Sequence, residues 1–212
     1  MKRIPLLIIF LISLSQHSEA QLPVQVFAGH ESIEYNFLWF KDVDQQGRIS
    51  LFNFTFFDVN YEDEAANFSE IYQVGTYNFN KNWGIAAGGR YTGGRFVPLV
   101  ALSFQVQTES LYFNIFPSLQ YASAADELQY ALFGLLFYTP KINDNWHLFS
   151  QLAFEPIFND QQHLFTYQQL RLGLEYKKLI QFGIGANLQQ IGIGDDFTFV
   201  ENYGLFIRKE LY

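Results

Sequence analysis

Apolar and polar residues alternate strictly along this chain, in one run after another from residue 31 almost to the C-terminus. A period of two marks a β-strand with one apolar and one polar face. Leu170, Leu172, Leu174 and Tyr176 oppose Gln169, Arg171, Gly173 and Glu175, while Ile180, Phe182, Ile184, Ala186 and Leu188 oppose Gln181, Gly183, Gly185, Asn187 and Gln189. Earlier, Val100, Leu102, Phe104 and Val106 oppose Ala101, Ser103, Gln105 and Gln107, and Ile33, Tyr35, Phe37 and Trp39 oppose Ser32, Glu34 and Asn36. Helical periodicity is nearly absent.

The chemistry of the polar face separates two architectures. A soluble sandwich or barrel buries its apolar face and carries charge outside. Here the polar face is mostly Gln, Asn, Ser, Thr, Gly and Ala, which suits a confined wet interior. A transmembrane barrel inverts the soluble arrangement, turning apolar side chains to lipid and pairing every backbone group around a closed sheet. The runs, about 10 to 13 residues long, are sufficient for a tilted membrane strand. The expected fold is therefore all-β, a closed antiparallel transmembrane barrel. A soluble exported barrel binding an apolar ligand is the competing architecture.

Composition supports this and excludes much else. Hydrophobic residues make up 49% and charged residues 16%, too apolar for a disordered chain, and 19% are aromatic. The absence of Cys rules out disulfide frameworks, thiolate metal sites and cysteine nucleophiles. A net charge of −8 argues against nucleic acid as a partner. Lys2 and Arg3 precede an apolar run from Ile4 to Leu14, and Ser18-Glu19-Ala20 follows. That pattern predicts a signal peptide over 1–20, cleaved after Ala20, and a single barrel domain over 21–212.

Turn signals divide the chain into strands near 31–41, 48–58, 70–80, 83–92, 96–107, 111–122, 127–139, 146–157, 165–176, 179–190 and 197–208. Eleven is odd, whereas bacterial single-chain barrels have even counts. Val24 to Ala28, with Gly29-His30 as a turn, predicts a short additional strand and a total of twelve, while merging two short segments would give ten. Asn80-Lys81-Asn82-Trp83 and Asn143-Asp144-Asn145-Trp146 share one pattern at two turns on the same end. With Trp39, the two tryptophans Trp83 and Trp146 are the expected interfacial girdle. The other end is acidic through Asp58, Glu62, Asp63, Glu64, Asp126, Glu127, Asp160, Asp195 and Asp196, and should face outward.

In these features, and in its terminal strand Tyr203-x-Leu205-x-Ile207 leading to Leu211-Tyr212, the chain resembles small outer-membrane β-barrel proteins of Gram-negative bacteria. Lys209 interrupts the apolar set of that strand, and Tyr212 is out of phase with it. The wording of Tyr35-Asn36-Phe37, Phe137-Tyr138-Thr139-Pro140-Lys141 and Phe182-Gly183-Ile184-Gly185 is similar to an uncharacterised family of such barrels. The resemblance implies an outer-membrane location, with outer-membrane lipid, lipopolysaccharide and the barrel-assembly machinery as partners. It names no activity.

Parity turns Glu34, Arg90, Glu155, Arg171 and Glu175 into the lumen. One expectation is a constriction of mixed charge that orients a small polar or zwitterionic solute. The other is an internal salt-bridge network plugging a narrow barrel, which would leave a structural or adhesive role to the acidic loops. No catalytic residue, metal site or cofactor is expected. His147 and Ser150 have opposite parity, Asp160 to His163 is too sparse a donor set, and Gly88-Gly89 and Gly93-Gly94 lack the Lys-Ser/Thr of a phosphate loop.

Overall fold

A computed structural model describes residues 22–193 and 196–211; the expected signal peptide, Asp195 and Tyr212 lie outside this range. Twelve strands run in chain order: β1 (Leu22–Gly29), β2 (Ser32–Asp42), β3 (Ile49–Asn60), β4 (Phe68–Asn78), β5 (Trp83–Thr92), β6 (Arg95–Gln107), β7 (Leu111–Ala122), β8 (Glu127–Tyr138), β9 (Trp146–Phe158), β10 (His163–Tyr176), β11 (Ile180–Ile193) and β12 (Asp196–Leu211). Each pairs antiparallel with its sequence neighbours, and β1 closes the ring against β12. The extra strand near Val24 is β1. It resolves the parity of the count and puts both described termini at one end.

Closure leaves no unpaired edge, which is what allows a sheet to cross hydrocarbon. The connections are short at both ends. The longest at the acidic end, between β3 and β4, holds one 3-10 turn over Glu64–Ala66, whose preceding Asp63 accepts a hydrogen bond from Ala65 N–H at 2.9 Å. Gly93 and Gly94 form the tip between β5 and β6 with φ of 55° and 75°, a left-handed pair that glycine adopts without a side-chain clash.

The apolar faces point outward. Val100, Leu102, Leu172, Phe182 and Ile184 are exposed on the barrel exterior, while Arg171 and Gln181 are buried inside. The interior departs from the expected lining of small uncharged polar groups. On β3 the residues facing inward are Phe52, Phe54 and Phe56, and they pack with Tyr72, Phe116 and Phe133 into a ring-on-ring cluster. Asn53 and Thr55 of the same strand face outward. There Asn53 Nδ2 donates to Gln73 Oε1 at 3.0 Å, Thr55 Oγ1 donates to Asn53 Oδ1 at 3.0 Å, and Gln73 Nε2 donates to the Phe52 carbonyl at 3.0 Å. Mutual bonding is what makes three polar side chains tolerable on a lipid-facing wall. A barrel this narrow has an interior that side chains must fill, and rings fill it most completely per residue.

Candidate functional site

The lumen is divided lengthwise. The wall from β3 to β8 contributes the aromatic cluster, with Leu99, Ala101 and Leu135. The wall from β9 through β12 and on to β1 and β2 contributes most of the buried amides and several of the charges, among them Asn36, Gln151, Gln169, Asn187, Asn202 and Arg208, together with a smaller ring cluster of Phe27, Phe149 and Phe206; Asn114 and Gln120 of β7 are buried amides on the other wall.

Glu34 is the centre of the polar half. Its carboxylate accepts from Tyr167 Oη at 2.6 Å, Gln169 Nε2 at 2.7 Å, Asn187 Nδ2 at 3.0 Å and the Arg171 guanidinium at 3.1 Å. Four donors, one of them a countercharge, are what a carboxylate without solvent needs. Arg171 is held in turn from several sides. It donates to Asn187 Oδ1 at 2.9 Å and to the Leu170 carbonyl at 2.8 Å, and its guanidinium lies 4.0 Å over the Phe27 ring. Gly185 makes this position available, because a Cβ there would fall 2.7 Å from Arg171 Cδ. Further along the wall Asn36 and Gln151 both donate to Gln169 Oε1, at 3.3 and 2.5 Å, and Arg208 donates to Gln151 Oε1 at 3.3 Å. Hydrogen bonds thus run from Glu34 to Arg208.

Arg90 belongs to a second network, on the seam between the halves. It bonds the Glu70 carboxylate and stands 3.2 Å from Glu155 Oε2, with all three side chains nearly inaccessible. Outward of it, a recess of about 230 Å³ is lined by Phe68, Arg90, Thr92, Gln120, Gln129 and Phe165. Glu175 sits at the opposite end, accepting from Gln181 Nε2 at 2.8 Å, with His147 Nδ1 at 3.4 Å. The five charges that parity turns inward therefore form three separate groups rather than one constriction: Glu34 with Arg171, Arg90 with Glu155, and Glu175 apart.

Glu70, Tyr167, Gln169 and Asn187 belong to these networks as much as the residues singled out by charge. Glu70 shares parity with Tyr72 and Val74, which was its available signal. Nothing in the local sequence announces that Tyr167 and Gln169 meet Glu34, which lies 133 and 135 positions earlier in the chain.

Trp39, Trp83 and Trp146 all lie on the outside toward the end that holds the termini. Trp83 packs on Phe104, and Trp146 on Tyr176 and Phe182. The opposite rim carries Tyr91, Phe96, Tyr121, Tyr130 and Phe158, all exposed, so aromatic residues bound the apolar band at both ends. A closed twelve-stranded sheet with lipid-compatible walls between two aromatic rims has one setting.

The chain is a small outer-membrane β-barrel. The fold recurs among solved structures: the NanC porin superposes with a TM-score of 0.51 at 15% identity, covering 90% of this chain and 100% of that one. The KdgM porin, solved in complex with disordered oligogalacturonate, gives a TM-score of 0.48 at 12% identity over 91% of this chain and 99% of its own. At such identity the likeness is one of fold. No protein-family model matches the barrel, and no curated protein sequence does.

Proposed function

We propose that this barrel is a narrow channel for small polar solutes, closed in the arrangement described and opened by release of the Glu34–Arg171 network. One observation carries the reading. A continuous lengthwise row of buried polar side chains runs from Ser32 and Asn202 near the acidic mouth, through Glu34, Gln169 and Gln151, to Gln181 and Glu175 near the other. A barrel that served only as a rigid plug would gain more by filling that wall with apolar side chains, since each buried polar group must find a partner. The aromatic half is the fixed wall against which the polar half works.

Single-channel recording in a planar bilayer tests this. The wild-type barrel is expected to conduct rarely and weakly. Glu34→Ala combined with Arg171→Ala, which removes both charges together, is expected to raise the open fraction severalfold. A double variant as silent as the wild type would favour the second reading, a plugged barrel acting through its acidic loops. The near-zero exposure of Glu34, Arg171, Arg90 and Glu155 is what supports that alternative.

A further inference from the structure

Near the end of the lumen that holds the termini, five inward-facing residues stand directly opposite one another on five adjacent strands. Gln25 of β1 pairs in register with Arg208 of β12, Arg208 with Gln181 of β11, Gln181 with Glu175 of β10, and Glu175 with His147 of β9. Cross-strand partners share a face, so this is a continuous polar arc. The Arg208 guanidinium is backed by the rings of Phe137 and Phe149, at 5.0 and 5.8 Å.

The arc is incompletely satisfied. Gln25 is 2% exposed, yet neither its Nε2 nor its Oε1 has a hydrogen-bond partner. Gln181, equally buried, donates to Glu175 but leaves its Oε1 unpartnered. His147 Nδ1 approaches Glu175 without forming a hydrogen bond. A buried polar group without a partner is costly, so two orphaned amides and an imidazole nitrogen in one row point to a bound polar molecule that completes them.

We infer that this arc is a binding subsite for a small zwitterion of the amino-acid type. The inference rests on the reading that polar solutes enter this half of the lumen. The arc is bipolar, with a guanidinium on β12 and a carboxylate two strands away, roughly 9–10 Å apart along the sheet. A simple anion would use only the charge on the Arg208 side, and a simple cation only that on the Glu175 side. A carboxylate directed at Arg208 and Gln25 Nε2, with an ammonium directed at Gln181 Oε1 and Glu175, uses both charges and the orphaned amide atoms of Gln25 and Gln181.

Isothermal titration of the refolded full-length barrel in detergent tests the assignment, with glycine as the probe and acetate and methylammonium as its separated halves. Glycine is expected to bind in about the millimolar range, and each half at least about tenfold more weakly. Gln25→Leu, checked for folding by far-UV circular dichroism, is expected to weaken glycine at least about tenfold. Gln181→Leu serves if that variant does not fold, and the three-probe comparison needs no variant. Absence of glycine binding, leaving only water in the arc, overturns the inference; so does acetate binding as tightly as glycine, or an unchanged affinity in Gln25→Leu. Because titration reads the closed barrel at equilibrium, glycine binding without conductance supports the subsite and removes the channel. Conductance without glycine binding does the reverse.

Discussion

The Glu34 carboxylate meets the Arg171 guanidinium at 3.1 Å, although the two are 137 positions apart, with no accessible side-chain surface on either. Strand order explains the meeting: β2 and β10 are separated around the ring only by β1, β12 and β11, and Gly185 on β11 leaves room for the Arg171 side chain. Removing one partner strands the other charge in a site without water. Arg171→Met is expected to lower stability by about 3–5 kcal/mol. Glu34→Gln added to it should recover a substantial part. Denaturant unfolding in lipid vesicles, followed by tryptophan fluorescence, measures both.

The aromatic half separates stability from conduction. Phe133 is 2% exposed and contacts the rings of Phe52, Phe54, Tyr72 and Phe116. Phe133→Ala is expected to cost about 3–5 kcal/mol through the cavity it leaves. Conductance should stay at the wild-type level, because the proposed path follows the other wall. Unfolding and bilayer recording on the same preparation check the pair of outcomes, and a large conductance rise would place the path on the aromatic side.

Leu170 is 39% exposed on the outer wall at the middle of β10, whereas its neighbour Arg171 is 2% exposed inside. Leu170→Arg places a charge in hydrocarbon and is expected to destabilise by about 2–4 kcal/mol in vesicles. Thr166→Arg, on the same face nearer the acidic rim, should cost visibly less. Equal costs at the two depths would remove the lipid-facing assignment of this wall.

The turn between β10 and β11 is strained at two consecutive positions. Lys177 and Lys178 have φ of 52° and 57°, and Leu179 N–H closes the turn on the Tyr176 carbonyl at 3.0 Å. Gly93-Gly94 adopts the same left-handed geometry without a side-chain penalty. Lys177→Asn with Lys178→Gly is expected to stabilise the barrel by about 1–2 kcal/mol. Slower unfolding in a kinetic denaturation experiment would register it.

Much of the architecture was legible because a strand's period is short and local. Strand limits such as Leu111–Ala122 and Trp83–Thr92 follow from alternation and turn residues alone. The outward placement of Leu172 and Phe182 follows from how few charges share their strands. Local pattern fails on β3, where Phe52, Phe54, Phe56 and Phe57 supply apolar residues to both faces. Parity divides such a run correctly, but only the opposite wall decides which set turns inward.

The sequence by itself determined that this chain forms strands, closes them into a barrel and presents an apolar exterior, since each depends on residues a few positions apart. Only the tertiary structure decided how the lumen is filled. Whether Glu34 finds Arg171 or Arg90, and whether Gln25 finds any partner at all, depends on which strands closure brings face to face. Contacts across a lumen have no period in the chain, because a barrel's interior is shared by side chains that the backbone reaches only after most of a circuit.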